Sequence, residues 1–206
     1  MSMDTTCLSP QPAASLATRI LATAHRLFYR DGIRATGIDR IISESGVAKK
    51  TFYRYYAAKD DLVIAFLECQ HRDWITWFQD SLVRHGADVH AIVPAFAEWF
   101  AGEAYRGCAL INAIVEIGGT LPAAVDISRR HQFEMAGVLD KLLPESDSAK
   151  DDAHALAVAI DGAIICAQRD GFPDAALKSL SHIVTAVSGQ STDRRLMRPI
   201  CAEHLE

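Results

Sequence analysis

The eight residues from Lys49 to Tyr56, KKTFYRYY, hold two lysines, an arginine, a threonine and three tyrosines. These side chains suit an anionic polymer. Lysine can donate to guanine O6 or N7, threonine offers a hydroxyl and a methyl, and tyrosine or lysine can hold phosphate oxygens. Lys59 follows three residues later. The stretch is embedded in a wider basic region: Ser15 to Asp60 carries nine Lys or Arg against four Asp or Glu, whereas the remainder from Asp61 carries twelve against twenty-one. Within a chain of net charge −5, such an asymmetry reads either as an ordinary solvated face or as one end reserved for an anionic partner such as nucleic acid.

Elements able to position that block can be read from periodicity and punctuation. From about Ala14 the apolar residues Ile20, Leu21, Ala24, Leu27 and Phe28 share one helical face, which ends near Gly32. A short second helix is expected from Thr36, with Thr36 as its cap and Asp39 three residues later as in a capping box, and it closes at Gly46. VAKKTFYRYY makes a third short helix and residues from Lys59 a long fourth. Five more helices follow, at about Asp88 to Glu103, Arg106 to Ile117, Pro122 to Leu143, Ser148 to Asp170 and Pro173 to Ser188, with breaks at HGAD, GGTLP, LPESDS and DGFPD. Pro94 should kink the fifth helix or delay its start. No stretch alternates, so the fold class is all-α, about nine helices in total. Residues 1–13 and 190–206 read as flexible tails, and the final Leu-Glu as a remnant of expression.

At 206 residues, half of them apolar, the chain can bury a sizeable core. It shows neither a secretion signal nor a membrane span, so a cytoplasmic protein without membrane association is expected. Five scattered cysteines suit reduced thiols better than a zinc site or disulfides. The histidines, among them His71, His85, His90, His131, His154 and His182, never fall at ligand spacing, and no metal site is expected. No catalytic motif is visible either, and the sequence implies no cofactor.

Two short helices joined by a glycine turn, the second basic and aromatic, have the layout of a helix-turn-helix. The segment ATGIDRIISESGVAKKTFYRYYAAKDDL resembles the N-terminal DNA-binding domain of the tetracycline-repressor (TetR) family, through Thr36, Ile38, Ile41, Gly46, Val47, Tyr53, Tyr55, Tyr56, Lys59 and Leu62. The resemblance implies a three-helix DNA-binding domain over residues 14–60 and a helical effector-binding and dimerisation domain over 61–189. It implies a homodimer reading a near-palindromic operator in double-stranded DNA, most simply a repressor released by a small molecule. Chemistry and resemblance together place Lys49, Lys50 and Thr51 at base edges, with Arg54 able to serve either function. Tyr53, Tyr55 and Lys59, together with Thr36 and the Gly37 amide, would hold phosphates. Phe52 and Tyr56, four residues apart, should pack inward. Ala48 and Ala58 stand where the family carries capping side chains, which predicts a loose recognition helix. Lys50 replaces the usual glycine. Two alternatives stay open: an enzyme that retains the fold, and a co-regulator acting through a protein partner.

Beyond residue 60 the signals are weaker. Arg106 to Gly118 resembles a sub-pattern of the same family. Trp74, Trp77 and Phe78 on the fourth helix and Phe96, Trp99 and Phe100 on the fifth, with Tyr105 after it, concentrate aromatic rings. They would line a pocket for a hydrophobic or aromatic effector, with Asn112 and Glu116 as polar anchors, or else form plain core. Glu116 could equally anchor a neighbouring helix. On the last two helices Ala155, Ala159, Gly162 and Ala163 would permit close approach of a second copy in a four-helix bundle, or belong to the inner core.

Overall fold

A computed structural model describes residues 15–189, in nine α-helices and no strand. The tails expected at either end, with Cys7, Cys201 and the terminal Leu-Glu, lie outside the described residues. Helix α1, Leu16–Asp31, starts at Ser15, whose hydroxyl accepts the Thr18 amide. It buries Ile20, Ala24, Leu27 and Phe28, the stripe that its periodicity predicts. Helices α2, Ile38–Ser45, and α3, Lys49–Tyr55, pack across it through Ile41 and Phe52, both fully buried.

Helix α4, Lys59–Arg84, spans 26 residues and is therefore about 39 Å long. It runs from the small N-terminal cluster through the centre of the remaining helices and packs against α1, α5, α6 and α7. A 3-10 turn, Val89–Ala91, precedes α5, Ile92–Phe100. Pro94 therefore occupies the first turn of α5, where its missing N–H costs no helical bond, and the helix starts four residues later than the sequence suggests. Helix α6, Ala109–Ile117, also begins later than expected, because Gly107 at φ 83 breaks the chain there. Helix α7, Pro122–Asp140, packs on α4; α8, Ala149–Asp170, lies between α7 and α9; and α9, Asp174–Gly189, packs back against α5. No helix among the described residues is long and apolar enough to cross a membrane.

Candidate functional site

The turn between α2 and α3 is built to aim a helix. Gly46 adopts a left-handed φ of 64, and Arg19 from α1 donates to the carbonyls of Ser45 and Gly46 at 2.5 and 3.2 Å. The last carbonyls of α2 are thereby satisfied by a cation, which the helix dipole also favours. Phe52 then pins α3 inward, with its ring 5.3 Å from Tyr53 and 6.1 Å from the half-buried Tyr56. That register leaves Lys49, Lys50, Tyr53, Arg54 and Tyr55 exposed and Thr51 half-buried, along one projecting surface. The Arg54 guanidinium lies 5.0 Å over the Tyr55 ring. Lys49 makes an exposed 3.3 Å ion pair with Asp39, a contact that holds it only weakly.

Neither α2 nor α3 has a side-chain cap. Thr36 does not start α2: Gly37 is the N-cap, and the Thr36 hydroxyl is fully buried, donating to the Gly32 carbonyl at 2.7 Å. A hydroxyl turned into the core cannot reach a phosphate, so Thr36 leaves the set of expected DNA contacts, and the capping box with Asp39 is absent. Gly37 remains exposed at the free amide end of the helix. At α4 the missing cap at Ala58 is half replaced, because Asp61 accepts the Ala58 amide at 3.0 Å. Lys59 is partly occupied within the protein: its ammonium donates to the Ile33 carbonyl at 2.6 Å, and burial pushes its pKa down.

Among α1, α4 and the segment joining α5 to α6 lies a cavity of about 550 Å³. Of the residues expected there, Trp74, Trp99 and Tyr105 line it. Phe78, Phe96 and Phe100 do not; they are buried ring against ring, with centroids 5.7 to 5.8 Å apart, as plain core, and Trp77 packs beside them. The remaining walls include His25, Tyr29, Gln70, Asp73 and Cys108, none of which the sequence singled out. A signal for some of them exists: Gln70, Asp73, Trp74 and Trp77 share one face of α4, so two polar residues interrupt an aromatic stripe. Burial lowers the His25 pKa, and Gln70 Nε2 bonds His25 Nε2. Burial also raises the Cys108 thiol to about 11, which keeps it protonated. The Trp74 indole N–H is buried without a hydrogen-bond partner.

Asn112 and Glu116 face a different groove, of about 380 Å³, between α1 and α6. Asn112 donates to the Arg106 carbonyl at 3.0 Å and accepts from Gln168 at 3.3 Å. Glu116 accepts the amides of Ile33 and Arg34 at 2.8 and 3.0 Å. They are therefore not polar anchors of the aromatic cavity: on α6 the cavity takes Ala109 and Leu110, whereas Glu116 is turned toward the turn after α1 and Asn112 toward Arg106 and Gln168 of α8. Tyr29 on α1 borders both spaces, accepting the Arg106 amide at 3.0 Å and donating to the Gly107 carbonyl at 2.9 Å.

On α8, Ala155 and Gly162 are exposed and Ala159 is half-buried, in line with exposed Val158 and Ile165. Ala163 is buried inside the chain, because residue 163 falls on the opposite face with Ile160, Ile164 and Ala167. It cannot meet a second copy. The histidines scattered in sequence include one pair brought together in space: His71 Nδ1 and His131 Nδ1 lie 3.3 Å apart. Among the described residues no group of three or more His, Cys, Asp or Glu is arranged to hold a metal ion.

The helix-turn-helix with a projecting basic helix defines a DNA-binding class of protein. Residues 20–66 match the family model described as bacterial regulatory proteins, tetR family. An uncharacterized HTH-type transcriptional regulator from the lacX 3' region of Lactococcus lactis is 23% identical over 162 residues, covering 71% of this chain and 80% of the relative. The Bacillus subtilis regulator YerO, also uncharacterized, is 40% identical over 50 residues, 24% of this chain and 17% of YerO. Among solved structures, a TetR-family regulator from Streptomyces coelicolor superposes with a TM-score of 0.70 at 24% identity, over 86% of this chain and 96% of that one. Reduced Escherichia coli NemR gives 0.69 at 16%, over 85% and 96%. At these identities the likeness is one of fold.

Proposed function

We propose that the chain is a homodimeric repressor that leaves a near-palindromic operator when a small hydrophobic or aromatic molecule fills the cavity beside Trp74, Trp99 and Tyr105. Lys49, Lys50 and Thr51 read base edges, and Arg54 reads or clamps beside them. Tyr53, Tyr55, the Gly37 amide and the remaining donors of Lys59 hold phosphates. Those phosphate contacts set register and make affinity depend on salt without reading sequence. The DNA-reading unit is residues 14–60, and the rest of the chain to 189 holds the effector and the second copy. Dimerisation uses the outer face of α8 with α9, through Ala155, Ala159 and Gly162, so that two reader helices meet successive major grooves.

One observation carries this reading: the C-terminal end of α1 is bonded to the segment that walls the cavity. Tyr29 is tied to Gly107 in the cavity wall and to the adjacent Arg106 amide, and the turn after α1 is tied to Glu116 on α6. A molecule that displaces the segment from Gly102 to Cys108 must drag or release the helix on which α2 and α3 pack. Operator affinity then falls by the difference in the effector's affinity for the two arrangements. Selection of bound sequences from random DNA, followed by anisotropy titration with the winning sequence, tests it. A dimer that shows no sequence preference in that selection ends the proposal.

A further inference from the structure

The N-terminal unit satisfies most of its positive charge internally. Of the nine Lys and Arg between Ser15 and Asp60, Arg26, Arg30 and Arg40 pair with Asp31 and Glu44 at 2.6 to 2.9 Å. Arg19 serves the Ser45 and Gly46 carbonyls, Lys49 pairs with Asp39, Lys59 bonds the Ile33 carbonyl and Arg54 lies over Tyr55. Two side chains of the nine have no partner among the described residues, Lys50 and Arg34. Lys50 stands on the reader helix. Arg34 is exposed in the turn between α1 and α2.

The backbone of that turn is fixed while the guanidinium it carries is not. Glu116 accepts the amides of Ile33 and Arg34, Lys59 donates to the Ile33 carbonyl, and the Thr36 hydroxyl bonds the Gly32 carbonyl. A ligand arriving at Arg34 has only side-chain rotamers left to order, which keeps the entropic cost of binding small. No internal ion pair has to break first, as it would at Arg40 or Lys49. The turn is also flanked by groups already assigned to phosphates: Lys59 touches the residue before Arg34, and the exposed Gly37 amide follows three residues later. When a helix-turn-helix docks, the helix before the reader crosses the sugar-phosphate strand. Residues leading into α2 therefore lie over that strand rather than over base edges.

We infer that Arg34 grips a backbone phosphate of the operator, outside the base pairs that α3 reads. A guanidinium suits a phosphate because its planar fork can donate two parallel hydrogen bonds. The contact adds affinity and register without reading sequence. This inference rests on the proposed docking of DNA against α2 and α3, and extends the contacts of that site to a residue in the turn before α2.

The test compares the unaltered chain with Arg34→Ala, Arg34→Lys and, as a reference, Lys50→Ala, by anisotropy titration on the selected operator. Raising salt from about 50 to about 200 mM should cost the unaltered dimer about tenfold more affinity than Arg34→Ala, which lacks one phosphate contact in each subunit. Arg34→Lys should keep most of that salt dependence. Base preference and thermal midpoint should match those of the unaltered chain. Ethylation of phosphates flanking the bases read by α3 should hinder the unaltered chain and leave Arg34→Ala indifferent at those positions. Equal salt dependence of the unaltered chain and Arg34→Ala overturns the grip, and a changed base preference in Arg34→Ala moves the side chain to a base edge and overturns it too. Where Lys50→Ala weakens operator binding and Arg34→Ala does not, the role of Arg34 fails alone. An unaltered chain that prefers no sequence ends the docking itself.

Discussion

The Glu116 carboxylate on α6 accepts the backbone amide of Ile33 at 2.8 Å, across 83 positions of sequence. The same oxygen takes the Arg34 amide, Lys59 takes the Ile33 carbonyl, and Gly32 at φ 90 is closed over by the glutamate, whose oxygen would stand 3.1 Å from a Cβ there. The turn between α1 and α2 is thus gripped from α4 and from α6 together. Removing the carboxylate in Glu116→Ala leaves two amides unpaired, one of them partly buried, at an expected cost of about 1–3 kcal/mol. Hydrogen exchange should show faster exchange at Ile33 and Arg34 with α8 unchanged. Equal protection in the variant would mean that α6 does not hold the reading head.

On DNA, the exposed lysines at the start of α3 and the tyrosines further along it should separate by phenotype. Lys50→Ala is expected to lose about 1–3 kcal/mol on the preferred operator and to relax preference at a single base position. Tyr53→Phe and Tyr55→Phe should weaken all sequences alike, since a phosphate contact carries no sequence information. Lys59→Ala removes an internal hydrogen bond as well as the proposed phosphate donor, so it should lower both thermal stability and affinity for every sequence. Binding selections on each variant, run at two salt concentrations, check the division. A Tyr55→Phe variant with altered base preference would reverse it.

The elements were legible because punctuation and apolar period agree locally: Gly32, Gly46, Pro122 and Gly171 all end or begin helices where the sequence places the breaks. What stayed hidden depends on rotation about a helix axis and on partners far along the chain. Thr36 matches the family pattern, yet its hydroxyl serves the Gly32 carbonyl rather than a cap. Of seven aromatic residues on α4, on α5 and just after it, three face the cavity and four pack with the core. Asp73 and His25 could not be paired from sequence, because they come from different helices 48 positions apart.

Ser81 has a fully buried hydroxyl without a hydrogen-bond partner, on the inner face of α4. Ser81→Ala removes an unsatisfied polar group and improves helix propensity. It should therefore stabilise the chain by about 1 kcal/mol or more, read as a higher urea midpoint at unchanged slope. A destabilised variant would show that the hydroxyl is satisfied in solution.

The paired histidines give stability a pH dependence. Burial, reinforced by His71, depresses His131 to about 3, and burial depresses His71 as well. The unfolded chain titrates its histidines near 6.5, so below that pH it binds protons that the folded chain refuses. Stability from His131 is complete above about 6.5 and is lost as pH falls, by about 1.4 kcal/mol per pH unit for each refused proton. Asp161 acts oppositely, since burial raises it to about 6 and the folded chain gains protons first between there and the ordinary carboxylate range. The measurement must therefore be a difference. The loss of stability between pH 6.5 and 5 should be shallower in His131→Asn than in the unaltered chain by about 1.4 kcal/mol per unit. Parallel profiles would place the histidine pair in contact with solvent.

The outer face of α8 offers a test of assembly that does not touch the core. Gly162 is exposed, and a Cβ there would meet nothing within 4 Å in the single chain. A larger side chain is tolerated by the isolated subunit, and replacing a helical glycine should even favour the helix by about 0.5–1 kcal/mol. Any harm done by Gly162→Leu must then come from a second copy that approaches closely at that point, whereas Ala163→Leu would overpack the inside of each subunit and be destabilising with or without a partner. Sedimentation of Gly162→Leu is expected to show a shift toward monomer with helical content retained, and its operator affinity should fall, because one reader helix alone spans only half of a palindrome. A Gly162→Leu dimer of undiminished strength would move the interface off this face.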